Sequence, residues 1–217
     1  MFKVKIAFAA LTLLLLVAFA HADNIIYNNG GPNQQNGNEM TEWVQTEDFT
    51  LTSGQTIGDI HFWDVDSGGY AGSITWWIVG DSGGNPNFND ILGTGNLDVT
   101  RVATGNCLFC GCEYENSWNI NPLSLAAGTY HLALHNGPVT FDSRSEFYWE
   151  TTDPNGTPTG RECDLTNGAC YGSWSDNGQE HAFYLSGGVG TTPEPGTLAL
   201  MATGLLGVFS QLRRRRF

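Results

Sequence analysis

The sequence predicts an all-β ectodomain built as an antiparallel β-sandwich or jelly roll, and three observations carry that expectation. Apolar residues recur with a period of two in short runs, clusters of Gly, Asn, Asp and Pro separate the runs, and no stretch between residues 23 and 192 carries a helical period. About eight or nine short strands with turn-rich spacers fit two packed sheets better than one open sheet.

The chain opens with Lys3 and Lys5, an apolar run from Ile6 to Ala20, and Ala20-His21-Ala22. A basic n-region, an apolar h-region and small side chains at Ala20 and Ala22 are the parts of a secretory signal peptide, here residues 1–22, so the mature chain is expected to start at Asp23. Strands are expected at 48–53, 55–65, 73–79, 97–103, 112–120, 128–135, 145–152 and 180–186. Neighbours on a strand point to opposite faces, so Ile74, Trp76 and Ile78 form one core row, Tyr130, Leu132 and Leu134 a second, and Phe183 and Leu185 a third. The ectodomain is expected over 23–185, followed by a flexible tether over 186–192 and a tail over 193–217.

Composition narrows the function. Between residues 23 and 192 there are 21 acids, no lysine and three arginines, Arg101, Arg144 and Arg161, a net charge of −18. A surface of that sign repels nucleic acid and anionic lipid, which excludes either as a binding partner and favours neutral or basic ones. All seven tryptophans lie in this span and supply much of the apolar area of a single-domain core.

The tail has three parts. Pro193, Glu194 and Pro195 form a triplet that is neither helical nor an inner strand, because prolines lack amide donors and bias the preceding residue toward extended geometry. Thr197 to Leu212 is an uncharged run of sixteen residues, short of the roughly 20 that span a bilayer untilted. Arg213, Arg214, Arg215 and Arg216 then hold the C-terminus cytoplasmic by the positive-inside rule. Triplet, short hydrophobic helix and terminal arginine cluster, in that order, closely resemble the PEP-CTERM tail of Gram-negative bacteria. The resemblance implies a membrane-embedded cysteine protease, exosortase, as processing partner, cleavage near the triplet, and export of the ectodomain from an inner-membrane-anchored precursor to the cell surface or beyond. More weakly, Asn29-Gly30-Gly31-Pro32, the Trp43 to Phe49 stretch, Ile60-His61-Phe62-Trp63 and Ala127-Gly128-Thr129-Tyr130 resemble ectodomains found upstream of such tails; this implies a sandwich fold and no reaction.

Five cysteines fall in the exported part, as Cys107-x-x-Cys110-x-Cys112 and Cys163-x6-Cys170. Disulfides are the default there, with Cys163 and Cys170 expected to pair across an intervening turn, and one bond and one thiol expected in the first cluster. The spacing of that first cluster matches no standard zinc knuckle. Two loops, Asp64-Val65-Asp66-Ser67-Gly68-Gly69 and Asp81 through Asp90, carry the hard oxygen donors of a weak calcium site, with Asp64, Asp66, Asp81 and Asp90 as ligands. The same residues make ordinary hairpin turns, which is the favoured reading, and calcium is the sole cofactor the sequence suggests.

Rings opposite the core rows, Trp63, Trp77, Tyr148 and Tyr184, stand beside Asp, Asn and His, the equipment for stacking on sugars while hydrogen-bonding their hydroxyls. No catalytic residue is expected. Glu113/Glu115, Asp142/Glu146 and Glu146/Glu150 are conceivable acid pairs, but neither a G-x-S-x-G nor an H-E-x-x-H motif is present. The expectation is an exported structural or adhesive envelope protein whose partner is extracellular polysaccharide, on the resemblance first and the outward rings second. Its rivals are a secreted carbohydrate-active enzyme such as a glycoside hydrolase and a calcium-dependent carbohydrate-binding module.

Overall fold

The computed structural model describes residues 24–165, 170 and 174–187; the signal peptide, most of the tether and the sorting tail lie outside them. The described ectodomain is all-β. In chain order its strands are β1 (Ile25–Gly30), β2 (Gly37–Glu39), β3 (Trp43–Leu51), β4 (Gln55–Asp66), β5 (Ile74–Asp81), β6 (Pro86–Leu97), β7 (Thr100–Leu108), β8 (Gly111–Leu125), β9 (Gly128–Asn136), β10 (Phe147–Thr152), β11 (Arg161–Asp164), β12 (Ser175–Asp176), β13 (Glu180–His181) and β14 (Phe183–Ser186).

Among the described residues these strands form two antiparallel sheets. In the first, β4 is central: β8 pairs along one edge and carries β7 outside it, while the other edge is shared between β14, with β1 beyond it, and β10, which also pairs β2 and β13. The second sheet runs β12-β11-β3-β9-β5-β6. Apart from the β5–β6 and β7–β8 hairpins, the chain crosses between sheets at most connections from β2 to β10, as a sandwich requires.

The inward faces meet in one core. Ile60, Phe62, Trp118, Phe147, Trp149, Phe183 and Leu185 come from the first sheet, and Phe49, Ile74, Trp76, Ile78, Leu132 and Leu134 from the second. Phe49 meets Tyr27 and Phe183 across the sandwich at ring distances of 5.7 and 6.5 Å. Trp149 is fully buried between Phe62 and Phe183 and donates its indole N–H to the Ala182 carbonyl at 2.9 Å. The core rows expected at 74–78, 130–134 and 183–185 all face inward, with Tyr130 at the margin.

Two features depart from simple alternation. Ile57 and Ile60 are both buried in the core although three residues apart, because the β4–β8 register shifts between Ile57 and Asp59; a bulge at Gly58 resets which side chains face inward. The segment Pro86–Leu97, rich in Asn, Asp and Gly, reads as loop in the sequence yet forms edge strand β6. Its glycines have a use. A Cβ on Gly95 would stand 2.8 Å from Trp76 Nε1 and one on Gly93 3.3 Å from the same ring, so bare backbone makes room for the indole.

Candidate functional site

Because Ile60 and Phe62 point into the core, Asp59, His61 and Trp63 point out of the first sheet. On β14, Phe183 and Leu185 point in and Tyr184 points out, directly opposite His61 in register. On β8, Glu115 lies opposite Trp63. The outcome is one group of side chains. The His61 imidazole stacks on the Tyr184 ring at 4.0 Å and 13°, and Trp63 lies 5.8 Å from Tyr184. Asp59 Oδ2 is 3.2 Å from His61 Nε2, Glu115 Oε1 is 3.4 Å from Nδ1, and the Tyr184 hydroxyl donates to Glu115 Oε1 at 3.1 Å. Asp59 Oδ1 is buried with no hydrogen-bond partner. Trp63, Tyr184 and Glu115 are partly exposed, whereas His61 lies beneath the rings. An apolar plate flanked by acceptors matches the two faces of a sugar ring, its C–H side and its hydroxyls.

Further along the same outer face, Tyr148 lies opposite Val65 and donates its hydroxyl to Glu146 at 3.0 Å. It lines a pocket of about 270 Å³ with Arg144, Glu146, Phe109 and Val65. Between this pocket and the ring cluster, Glu113 and Glu150 meet, two buried acids far apart in sequence. Gln34, held at a φ of 60°, donates its side-chain N–H to both, and its backbone N–H donates to Glu150 Oε1 at 3.2 Å. Burial and the adjoining Glu113 push the Glu150 carboxyl up to about 8, so the pair holds a proton near neutrality. Glycoside hydrolysis sets its two carboxyls about 5–10 Å apart across the scissile bond. Glu113 and Glu150 touch and leave no place for a sugar between them.

Trp77 is not brought together with the other three rings. It points away from the central core, as alternation requires, but out of the second sheet, where Phe88 lies 5.6 Å from it and stacks on Trp174 at 5.2 Å. Val44, Ala133, Cys163 and Cys170 complete this second apolar cluster. Cys163 and Cys170 form a disulfide with a Cα–Cα distance of 5.3 Å. In the other cysteine cluster, the register pairs Cys107 with Cys112 and sets their sulfurs 3.3 Å apart, while Cys110 occupies the hairpin tip. All three are free thiols in the structure.

The four candidate calcium ligands do not converge. Asp64 and Asp66 are engaged by Arg101, whose guanidinium donates to both Asp64 oxygens at 2.9 and 3.0 Å and lies 3.0 Å from Asp66 Oδ2. That guanidinium is sandwiched between Tyr70 and Tyr114 at 4.3 and 4.2 Å. Asp81 opens the β5–β6 hairpin, where Gly83 and Gly84 take the positive φ of a type I′ turn and Gly84 donates its amide to Asp81. Asp90 sits on β6 and is exposed. Among the described residues no group of three or more His, Cys, Asp or Glu is arranged to hold a metal ion. The donors suit a hard cation, but an arginine already serves two of them.

Gln34 and the Glu113–Glu150 contact were invisible to sequence reasoning, since only the pairing of β8 and β10 with β4 and the course of the 31–36 segment bring them together. Ile60-His61-Phe62-Trp63 was the legible part, because alternation within one strand places His61 and Trp63 on one face.

A scan against known families matches residues 191–216 to the PEP-CTERM protein-sorting motif. This chain carries a PEP-CTERM sorting tail. The motif implies export, a membrane-anchored precursor and processing by an exosortase, itself a membrane enzyme. No curated protein matches the chain in sequence. Pro193, Glu194, Pro195 and Arg213 to Arg216 fall within the match or at its edge, outside the described residues, as do Ala20 and Ala22.

Proposed function

We propose that this exosortase-sorted protein is a structural or adhesive component of the cell surface that holds extracellular polysaccharide on the outer face of its first sheet. The observation that carries the reading is the Trp63–Tyr184–His61 ring cluster with Asp59 and Glu115 beside it. Rings supply dispersion and C–H contact, while the exposed part of Glu115 accepts hydroxyl protons. Side-by-side rings with an acceptor at their edge suit many weak contacts along a polymer. The charge of −18 between residues 23 and 192 favours a neutral or basic glycan.

Retention of the mature protein by isolated extracellular polysaccharide tests the reading. Trp63→Ala and Tyr184→Ala are each expected to weaken retention by a factor of several without lowering the melting temperature appreciably, and unchanged retention in both would overturn it. Processing is a separate matter. Surface-released protein is expected to yield no peptide containing Arg213, and Glu194→Ala to accumulate a membrane-retained precursor; an intact C-terminus on mature surface protein would refute tail cleavage.

A further inference from the structure

The β7–β8 hairpin ends in chemistry that neither the ring strip nor the core uses. Leu108 pairs with Gly111, so Phe109 and Cys110 alone form the turn, and both take a positive φ, 49° and 69°. A two-residue turn of that kind ordinarily carries Asn-Gly, whereas Phe and Cys meet steric resistance in the left-handed region. A local rule is broken here in a segment that sets three thiols within six residues, and broken local rules mark functional segments. The tip is nonetheless seated. A Cβ on Gly111 would stand 2.7 Å from the Val65 side chain, so the hairpin lies against the end of β4.

The residues flanking a two-residue turn exchange a narrow pair of backbone hydrogen bonds, which makes the next pair, Cys107 and Cys112, the non-hydrogen-bonded kind whose side chains stand closest. Their sulfurs are 3.3 Å apart. The Cα spacing of such a pair, about 4.5 Å, falls inside the range a disulfide spans. Cys110 lies in the turn itself and is opposite no residue in the register. All three thiols are exposed, whereas Cys163 and Cys170, 4% and 8% exposed, sit in the apolar cluster with Val44 and Ala133. Exposure opens an S–S bond to thiolate attack and burial protects it. The Cys107 S–H donates to Cys112 Sγ, and that hydrogen bond is the main reason the Cys107 thiol is held above its ordinary pKa. Cys107 therefore keeps its proton while Cys112 accepts, which makes Cys112 the attacking sulfur and Cys107 the resolving one.

We propose that the hairpin tip is a thiol–disulfide exchange site in which Cys112 and Cys107 form a reversible pair acting on accessible disulfides. Cys112, as thiolate, attacks one sulfur of an external disulfide, whose other half leaves as a thiolate; Cys107 then attacks Cys112 in the mixed disulfide and expels the second half. The protein loses two protons and two electrons and closes one S–S bond, and the external disulfide gains them as two thiols. Cys110 stays a thiol throughout. Export, which the sorting motif implies, takes the tip to where disulfides persist. The site does not depend on the function proposed for the ring strip.

The purified full chain, with Cys163–Cys170 closed and the other three thiols free, is treated with oxidised glutathione and mapped by alkylation and mass spectrometry. Two thiols are expected to disappear together, the map joining Cys107 to Cys112 and leaving Cys110 alkylated. Reduced glutathione should then reopen this bond at least about tenfold faster than Cys163–Cys170. Cys107→Ser is expected to stop at a glutathione adduct on Cys112, since the resolving sulfur is gone, and Cys110→Ser to leave the exchange unchanged. Where a serine variant fails to fold, the wild-type map decides. A map joining Cys110 to either neighbour, three thiols still free after oxidised glutathione, or equal reopening rates for the two bridges would overturn the assignment.

Discussion

The two outer faces of the sandwich follow the same alternation and come to different ends. On the first sheet Trp63 and Tyr184 remain partly open above His61, with carboxylates at their edges. On the second sheet Trp77 also points outward, but Phe88, Trp174 and the Cys163–Cys170 bridge pack on it. An outward ring thus belongs to the surface or to a satellite core according to what the rest of the chain lays over it. Among the described residues, the 31–36 segment lies over part of the first face, pinned through Gln34, while Cys170, Phe88 and Trp174 pack with Trp77 on the second. One face is left with a strip of open rings and the other with a stapled ring cluster.

The reference point for that contrast is the central core, where the largest effect is expected. Trp76→Ala should cost about 3–5 kcal/mol in chemical denaturation, since the indole is buried among residues of both sheets and the glycines opposite it cannot fill the cavity. A small loss would mean that β6 is not held by this ring. Next comes the staple. Replacing Cys163 and Cys170 with serine should cost about 2–3 kcal/mol, chiefly by freeing the unfolded chain, and should loosen Trp77 and Trp174 together in hydrogen exchange. Loss of stability with no change at Trp77 would break the link between bridge and cover.

A third test concerns the acids under the first face. Glu150 has its folded pKa raised to about 8, so its stabilising contribution is complete below its unfolded value near 4.5 and is lost as pH rises through 8. Glu47 is likewise raised by burial, and burial and Glu47 push Glu180 up to about 7, which adds to the same trend. His181 is lowered to about 3 by burial, so its contribution is present above about 6.5 and lost as pH falls toward 3. Melting temperature is therefore expected to peak in mildly acidic solution. Glu150→Gln should flatten the alkaline fall and raise stability at pH 8 by about 1–2 kcal/mol. An unchanged pH profile would show that the Glu113–Glu150 contact does not hold a proton in solution.

The smallest effects separate the two faces directly. Trp77→Ala should cost about 1–2 kcal/mol, the worth of a half-buried ring, and Trp63→Ala below about 0.5 kcal/mol. Equal losses at the two positions would erase the distinction between cover and strip.

Much of this was legible before any coordinates. Alternation in Ser73 to Val79 and Gly128 to His135 placed Trp76, Leu132 and Leu134 inward and Trp77 outward, because a strand's side-chain direction is a local consequence of pleating. Where local rules broke, a second strand was responsible: Ile57 and Ile60 share a face through a bulge defined only against β8, and β6 is a strand only because β5 offers it an edge.

The sequence by itself determined the sheet class, the core rows, the Cys163–Cys170 pairing and the sorting tail. Each of these is written in residues close together along the chain, where spacing alone fixes face, loop closure or recognition. Tertiary structure alone decided that Arg101 takes the carboxylates of Asp64 and Asp66, that Glu113 meets Glu150 beneath Gln34, that Asp48, His131 and Asp81 share a pocket, and that Trp77 joins a disulfide-stapled apolar cluster while Trp63 lies beside Tyr184 and His61. Such contacts join residues tens of positions apart. Their geometry depends on strand register and on which segment crosses which face, and neither leaves a periodic mark in the sequence.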